Sequence, residues 1–480
     1  MNQKKNIALE AVEQKENLIK EVAGSIWGFA ELSLQEERSA ALYCDVLEQQ
    51  GFRVERGLCG ISTAFSASFG SGRPVIGLLA EYDALAGLSQ KAGMSEKEEL
   101  IPGGCGHGCG HNLLGAGAMA AALGVKAWLE ETGESGTVIL YGCPGEEGGA
   151  AKAFMAREEL WRGLDAALTW HPDDTNEVVT GSTNSCIQVQ YKFHGVASHA
   201  AGAPEKGRSA LDAVELMNIG VQFLREHMSD KARVHYAITD GGGCSPNVVQ
   251  PYASVLYMVR SNRVAEAVEL QARVDQIAQG AALMTETTFE RKFIDGLADT
   301  IPNHTLEQLL QENFESVGVP AHTEEELALA DALAQTYPGS DAIPGTGSAY
   351  DAAYAEEAAK QKAESGRAMN DFLLPLFRGD SFHPGSTDVG DVSWQTPVGQ
   401  IHVAAWPNGC PGHSWQNVSC AGSDLGFKAA VHAGKVLSCA VIDLMTRPEL
   451  LSQARAEFEK ATKVGYTCPI PADALPVIPD

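Results

Sequence analysis

Positive charge is what this 480-residue sequence has least of: 35 lysines and arginines stand against 62 aspartates and glutamates, for a net charge of −27. Such a surface repels phosphate backbones and anionic headgroups, which excludes nucleic acid and the membrane surface as partners. An anionic small molecule would need a local basic pocket. Long uncharged apolar runs are also missing. The closest, residues 113–125, is rich in Ala and Gly and runs into Lys126, so it reads as a buried helix. The N-terminal segment is charged and helical, without the apolar stretch of a signal peptide. There is no disulfide framework: the eleven cysteines are odd in number and scattered, and Cys44 and Cys439 lie in apolar runs as small core residues. That usage suits a reducing compartment, and a cytoplasmic location is expected. No internal repeat or long low-complexity tract is evident.

What is present is a globular composition, 44% apolar and 20% charged, on a chain too long for one ordinary core. Two or more domains are expected. Residues 6–50 carry helical periodicity. Four β-rich stretches then end in chemistry-bearing residues. Residues 75–80 end in Glu81-Tyr82-Asp83, and residues 137–141 end in Pro-Gly-Glu146-Glu147-Gly-Gly. Residues 166–170 end in His171-Pro172, and residues 401–405 lead through a Pro/Gly turn to His413. In α/β sheets the ligand crevice lies beyond the carboxyl ends of parallel strands, so four such ends converge on one site. Between them stands Cys105-Gly-His107-Gly-Cys109-Gly-His111-Asn112, which opens a helical stretch. Imidazole and thiolate are ligands that borderline-soft divalent metals prefer. On its own His171 reads equally as a strand-end histidine packed by Trp170 and Pro172.

Residues 185–293 alternate as strand, helix, two strands, helix and strand, the order of a four-stranded antiparallel sheet with two helices on one face. They are expected as one inserted domain, with residues 1–184 and 294–480 forming the other. Residues 321–385 are Ala-rich and acidic, and read as an insertion with helices and a mobile turn.

The Cys109-Gly-His111-Asn112 and Glu146-Glu147-Gly-Gly motifs resemble those of the metallopeptidase family of glutamate carboxypeptidases, aminoacylases and amino-acid-conjugate hydrolases, in its cysteine-containing branch. The likeness runs from about residue 20 to 470 and is weakest in the 321–385 insertion. It implies an α/β/α catalytic domain with a mixed sheet and an inserted ferredoxin-like α+β domain serving as lid and dimerisation unit. It implies Cys109, His111, Glu147, His171 and His413 as metal ligands, with Glu146 as general base and Asp83 orienting a ligand. His199 would stabilise the oxyanion, commonly across a dimer interface. Asn247 and Arg260 would contact the substrate carbonyl and carboxylate. Many relatives place a metal-binding histidine where Glu81 stands, so Glu81 is left outside the expected ligand set.

Five ligands exceed the three protein ligands plus water of a mononuclear catalytic zinc, which favours two divalent ions. Thiolate and imidazole point to zinc, and the carboxylates accommodate manganese. Glu146 and Glu147, adjacent in turn or extended backbone, point different ways, so one can ligate while its neighbour moves a proton. Cys105 and His107 are near-copies of Cys109 and His111 and are read as supporting or structural. Arg208 is a second candidate for a substrate carboxylate. The expected reaction is hydrolysis of an N-acyl or N-aroyl amino acid, p-aminobenzoyl-glutamate foremost, by a homodimer or a heterodimer with a related A subunit. Aminoacylase, dipeptidase or indole-acetyl-amino-acid hydrolase activity is the alternative within that chemistry. A cysteine hydrolase built on Cys109 with His107 or His111, and a non-catalytic partner subunit, are the rivals of another class.

Overall fold

The computed structural model describes residues 3–345, 352–379 and 381–478. Eleven strands build its two main sheets: β1 (Arg53–Arg56), β2 (Phe65–Ser71), β3 (Val75–Ala80), β4 (Gly136–Gly142), β5 (Ala166–Asp173), β6 (Glu177–Val178), β7 (Ser185–His194), β8 (Arg233–Asp240), β9 (Tyr252–Ser261), β10 (Thr288–Leu297) and β11 (Val398–Ala404). The larger sheet runs β1-β2-β4-β3-β5-β11-β6. Its centre, β4-β3-β5-β11, is parallel, and β1, β2 and β6 join antiparallel at the edges. β3 is continuously apolar because both its faces are covered, whereas β11 alternates.

One face packs Ile76, Leu78, Val138, Leu140, Leu168, Trp170, Ile401 and Val403 against α1 (His111–Thr132) and α4 (Asp424–Thr446). Both helices are long and apolar enough to cross a membrane by composition, yet 89% and 78% of their most apolar windows are buried inside the protein. Close approach is built from small residues: a methyl group on Gly117 would stand 2.5 Å from the Trp170 indole nitrogen. The opposite face, with Leu79, Tyr141 and Ala167, belongs to a second core that continues into the smaller sheet through Val389, Val392 and Leu297.

The smaller sheet has the order β8-β9-β7-β10, antiparallel throughout, with α2 (Ala210–Leu224) and α3 (Val264–Thr285) packed on it. This βαββαβ order is the ferredoxin-like arrangement. Ser209 caps α2 by accepting from the Asp212 amide. α2 is followed at once by residues 225–227, which tighten into a 3-10 turn. In the 321–385 insertion, helices Glu324–Ala334 and Ala352–Ser365 form, the first through a Thr323/Glu326 capping box. The end of the turn expected between them lies outside the described residues.

Candidate metal centre at the strand ends

The four central strands end on one side of the sheet and deliver the site. β3 ends in Glu81 and Asp83, β4 runs into Glu146 and Glu147, and β11 leads to His413. His171 is not past its strand, as its Trp-His-Pro context suggests, but inside it. β5 continues to Asp173, so His171 shares a face with Thr169 two residues earlier. The Cys/His run crosses these ends and starts α1 at His111. Gly110, at φ 76, makes that entry possible: a Cβ there would lie 2.7 Å from Pro172 Cγ.

Cys109 Sγ lies 3.3 Å from His171 Nε2. His111 Nδ1 is 2.8 Å from Asp83 Oδ1, while Asp83 Oδ2 accepts from the Glu147 amide and the Ser33 hydroxyl at 2.9 and 2.8 Å. Asp83 thereby fixes the ring that presents His111 Nε2 to the site. Burial alone would raise the Asp83 carboxyl, but His111 and the two donors hold it well below the usual range. His413, at a left-handed φ of 52, brings Nε2 within 3.3 Å of Glu147 Oε1. Two groups of donors result, Cys109/His111/His171 and Cys109/Glu147/His413, each with all donor atoms within 4.8 Å of one another. The Cys109 sulfur is common to both.

His111 Nε2 and Glu147 Oε1 are buried, and their nearest polar neighbours are the other candidate donors, Glu81 Oε2 at 3.2 Å and His413 Nε2 at 3.3 Å. These atoms, with the Cys109 sulfur and imidazoles around them, fit divalent cations of the zinc class. Burial and the neighbouring His111 and His402 rings hold His171 at about 4, so it is neutral and able to ligate at ordinary pH. Burial pushes the Cys109 thiol far up, despite His111. An imidazole neighbour therefore does not make it a free nucleophile, whereas a cation would take its proton.

Glu146 faces the same space. Burial, then the carboxylates of Glu81, Asp388 and Glu147, push its carboxyl well above the ordinary range. Glu81, outside the expected ligand set, forms a third donor group with His111 and Glu146. Its Oε2 stands 3.2 Å from His111 Nε2, while its Oε1 is held at 2.7 Å by Lys152, which also contacts Asp388 at 2.5 Å. Lys152 is fully buried, and these two acids keep it charged against the cost of burial. Sequence reading missed Lys152 and Asp388, which lie 71 and 307 residues from Glu81 with no motif to join them. It also missed His402, in an alternating strand, whose Nδ1 lies 3.1 Å from both Asp173 and Glu177.

Beside these donors opens a cavity of about 350 Å3, lined by Glu81, Cys109, Glu146, Glu147, His171 and His413 at one end and by Thr169, Gln400 and His402 along its floor. Arg260 Nη1 donates to Ser386 Oγ at 2.9 Å, and Ser386 lines the cavity, so Arg260 stands behind its wall. Arg208 is spent on Glu286 and on the carbonyls of Glu205 and Gly207, a surface role. His199 and Asn247 come to each other, on the paired segments Ser198–His199 and Val248–Val249, and are exposed. Neither lines the cavity of its own chain. His107, bonded at 3.0 Å to the Ile26 carbonyl, is buried away from the donors.

The profile described as peptidase family M20/M25/M40 matches residues 77–368, which contain Asp83, the Cys/His run, the Glu146-Glu147 turn and His171. The chain belongs to this peptidase family. It is accordingly a hydrolase acting on amide bonds. The B subunit of p-aminobenzoyl-glutamate hydrolase from Escherichia coli is 43% identical over 470 residues, covering 97% of each chain. Mouse Xaa-Arg dipeptidase is 27% identical over 95% of this chain and 92% of its own. Among solved structures, a dinuclear metal binding peptidase of the M20 family from Bacillus subtilis superposes with a TM-score of 0.54 at 16% identity, over 91% of this chain and 99% of that one.

Proposed function

We propose that the chain is a metal-dependent amidohydrolase of N-aroyl amino acids, with p-aminobenzoyl-glutamate as its substrate. The observation that carries the metal reading is the pair of three-donor groups sharing Cys109. On this reading Cys109, His111, Glu147, His171 and His413 would hold two divalent ions, zinc or manganese. Bound there, such ions supply a water of lowered pKa and a polarised carbonyl. Glu146 is the general base: its carboxylate takes a proton from the attacking water and passes it to the departing nitrogen. Asp83 orients His111, and Lys152 holds Glu81 beside it.

The substrate assignment is supported by the 43% identity to the p-aminobenzoyl-glutamate hydrolase chain over nearly the whole length. Residues 1–184 and 294–480 act on this reading as the catalytic domain and residues 185–293 as lid and dimerisation domain. Arg260 receives the substrate carboxylate from behind Ser386. His199 and Asn247 serve the oxyanion and the substrate carbonyl of a partner chain, in a homodimer or a heterodimer with a related A subunit. The cytoplasm is the proposed location, in keeping with eleven unpaired cysteines.

The test is a substrate panel on purified, metal-loaded protein: p-aminobenzoyl-glutamate, N-acetyl amino acids, indole-acetyl-aspartate and dipeptides ending in arginine. Preferential release of p-aminobenzoate, abolished by a chelator and restored by metal, is expected. Hydrolysis confined to the dipeptides would replace the aroyl assignment with a dipeptidase. Activity indifferent to chelation would overturn the metal reading.

A further inference from the structure

β5 and β11 are parallel neighbours whose register sets His402 beside His171, Gln400 beside Thr169 and Val398 beside Ala167. Their alternate residues Leu168, Trp170, Ile401 and Val403 enter the helix-covered core, so these three pairs share the opposite face. The cavity floor is thus a ladder whose rungs are about 6.6 Å apart, two residues of parallel strand. The first rung, His171 and His402, adjoins the metal donors. The second is Thr169 and Gln400. The Gln400 side-chain amide, only partly exposed, has no hydrogen-bond partner among the described residues. Val179, Ile301, Pro302 and Val389 give its walls apolar surface, interspersed with Thr180, Asn303, Glu307 and Ser393.

We infer that this slot is the acyl-side subsite, built for an aromatic ring carrying a polar para substituent, with the Gln400 side-chain carbonyl accepting a hydrogen bond from a para-amine. The inference rests on amide hydrolysis at the Cys109 centre and adds to it the residues that choose the acyl group. A ring buries its faces against the apolar surface of the walls. Its para position lies on the axis of the bond to the carbonyl. A carbonyl held at the first rung therefore sets the para atom against the second. An aliphatic acyl group would lack the donor that makes this hydrogen bond and so gain nothing from Gln400.

The experiment compares p-aminobenzoyl-glutamate with benzoyl-glutamate in wild type and Gln400→Leu, by kcat/KM. Calorimetry of p-aminobenzoate and benzoate on the same proteins gives a readout free of turnover. Wild type should favour the amino compound by about tenfold or more in both measurements, and Gln400→Leu should bring the ratio near one. Val398→Phe narrows the slot and should depress both aroyl-glutamates more than N-acetyl-glutamate, which separates a filled slot from a misfolded chain. An unchanged preference in Gln400→Leu, or an equal loss for both aroyl substrates, overturns the subsite. Wild type that cleaves N-acetyl-glutamate or dipeptides but neither aroyl-glutamate overturns the subsite while amide hydrolysis stands. Wild type that cleaves none of them overturns the proposed function itself.

Discussion

Cys105-Gly-His107 and Cys109-Gly-His111 are chemical copies four residues apart, and the fold uses them for different ends. His107 turns into the core and spends its Nε2 on the Ile26 carbonyl at 3.0 Å. His111 is as deeply buried, but its Nδ1 is tied to Asp83 and its Nε2 stands among the donor groups, 3.2 Å from Glu81 Oε2. Cys109 lies 3.3 Å from His171 and belongs to two donor groups, whereas Cys105 belongs to none found among the described residues. Residue type alone does not make a ligand. A second residue must fix the ring, and strand ends must bring partners from far along the chain.

That contrast can be broken by substitution, and the largest effect falls on the second copy. His111→Ala removes a donor and leaves Asp83 unpaired beside the site, so metal content and activity should both fall, activity by more than about 100-fold, the range that even indirect partners of a metal site cost. Elemental analysis with a rate assay checks it. Glu146→Gln separates proton transfer from binding: kcat should drop about 10²–10⁴-fold with metal content unchanged. His107→Gln should keep both metal and kcat and cost about 1–3 kcal/mol of stability by denaturant unfolding, the penalty of an imperfectly replaced buried hydrogen bond.

The smallest effect concerns a histidine of the structural type far from the centre. His432 Nε2 donates to the Gly318 carbonyl at 2.7 Å, and burial holds the ring at about 4. Its unfolded form binds a proton near 6.5, so the folded state binds fewer protons between those values. Its contribution is therefore intact above pH 6.5 and lost as pH falls towards 4. His432→Gln should flatten acid destabilisation in that window by on the order of 1–3 kcal/mol. Unfolding curves from pH 7 to pH 4 read it directly, and an unchanged slope would remove His432 from the account.

Much of the centre is legible in the sequence because parallel strands buried on both faces announce themselves. The strand expected over 75–80 is the one observed, and residues 137–141 and 166–170 each lie within an observed strand. Glu146, Glu147 and His413 follow from that, and His171 needs only its strand to run three residues further. What is not legible depends on long-range pairing. Glu81 stands beside Asp83 with the same charge, and only the buried Lys152 distinguishes it. Gln400 and His402 look like ordinary alternation until the register with β5 is known. His199 and Asn247 carry motif-like contexts, yet they lie exposed on the smaller sheet's side, outside their own chain's cavity.

The central claim is that Cys109, which belongs to both donor groups, is needed for metal binding while its neighbour Cys105, which belongs to neither, is not. Metal stoichiometry of wild type, Cys105→Ser and Cys109→Ser, purified alike and measured by elemental analysis, tests it most directly. The account predicts two ions per chain in wild type and Cys105→Ser, and the loss of at least one in Cys109→Ser. Two ions retained in Cys109→Ser, or an ion lost from Cys105→Ser, would contradict it.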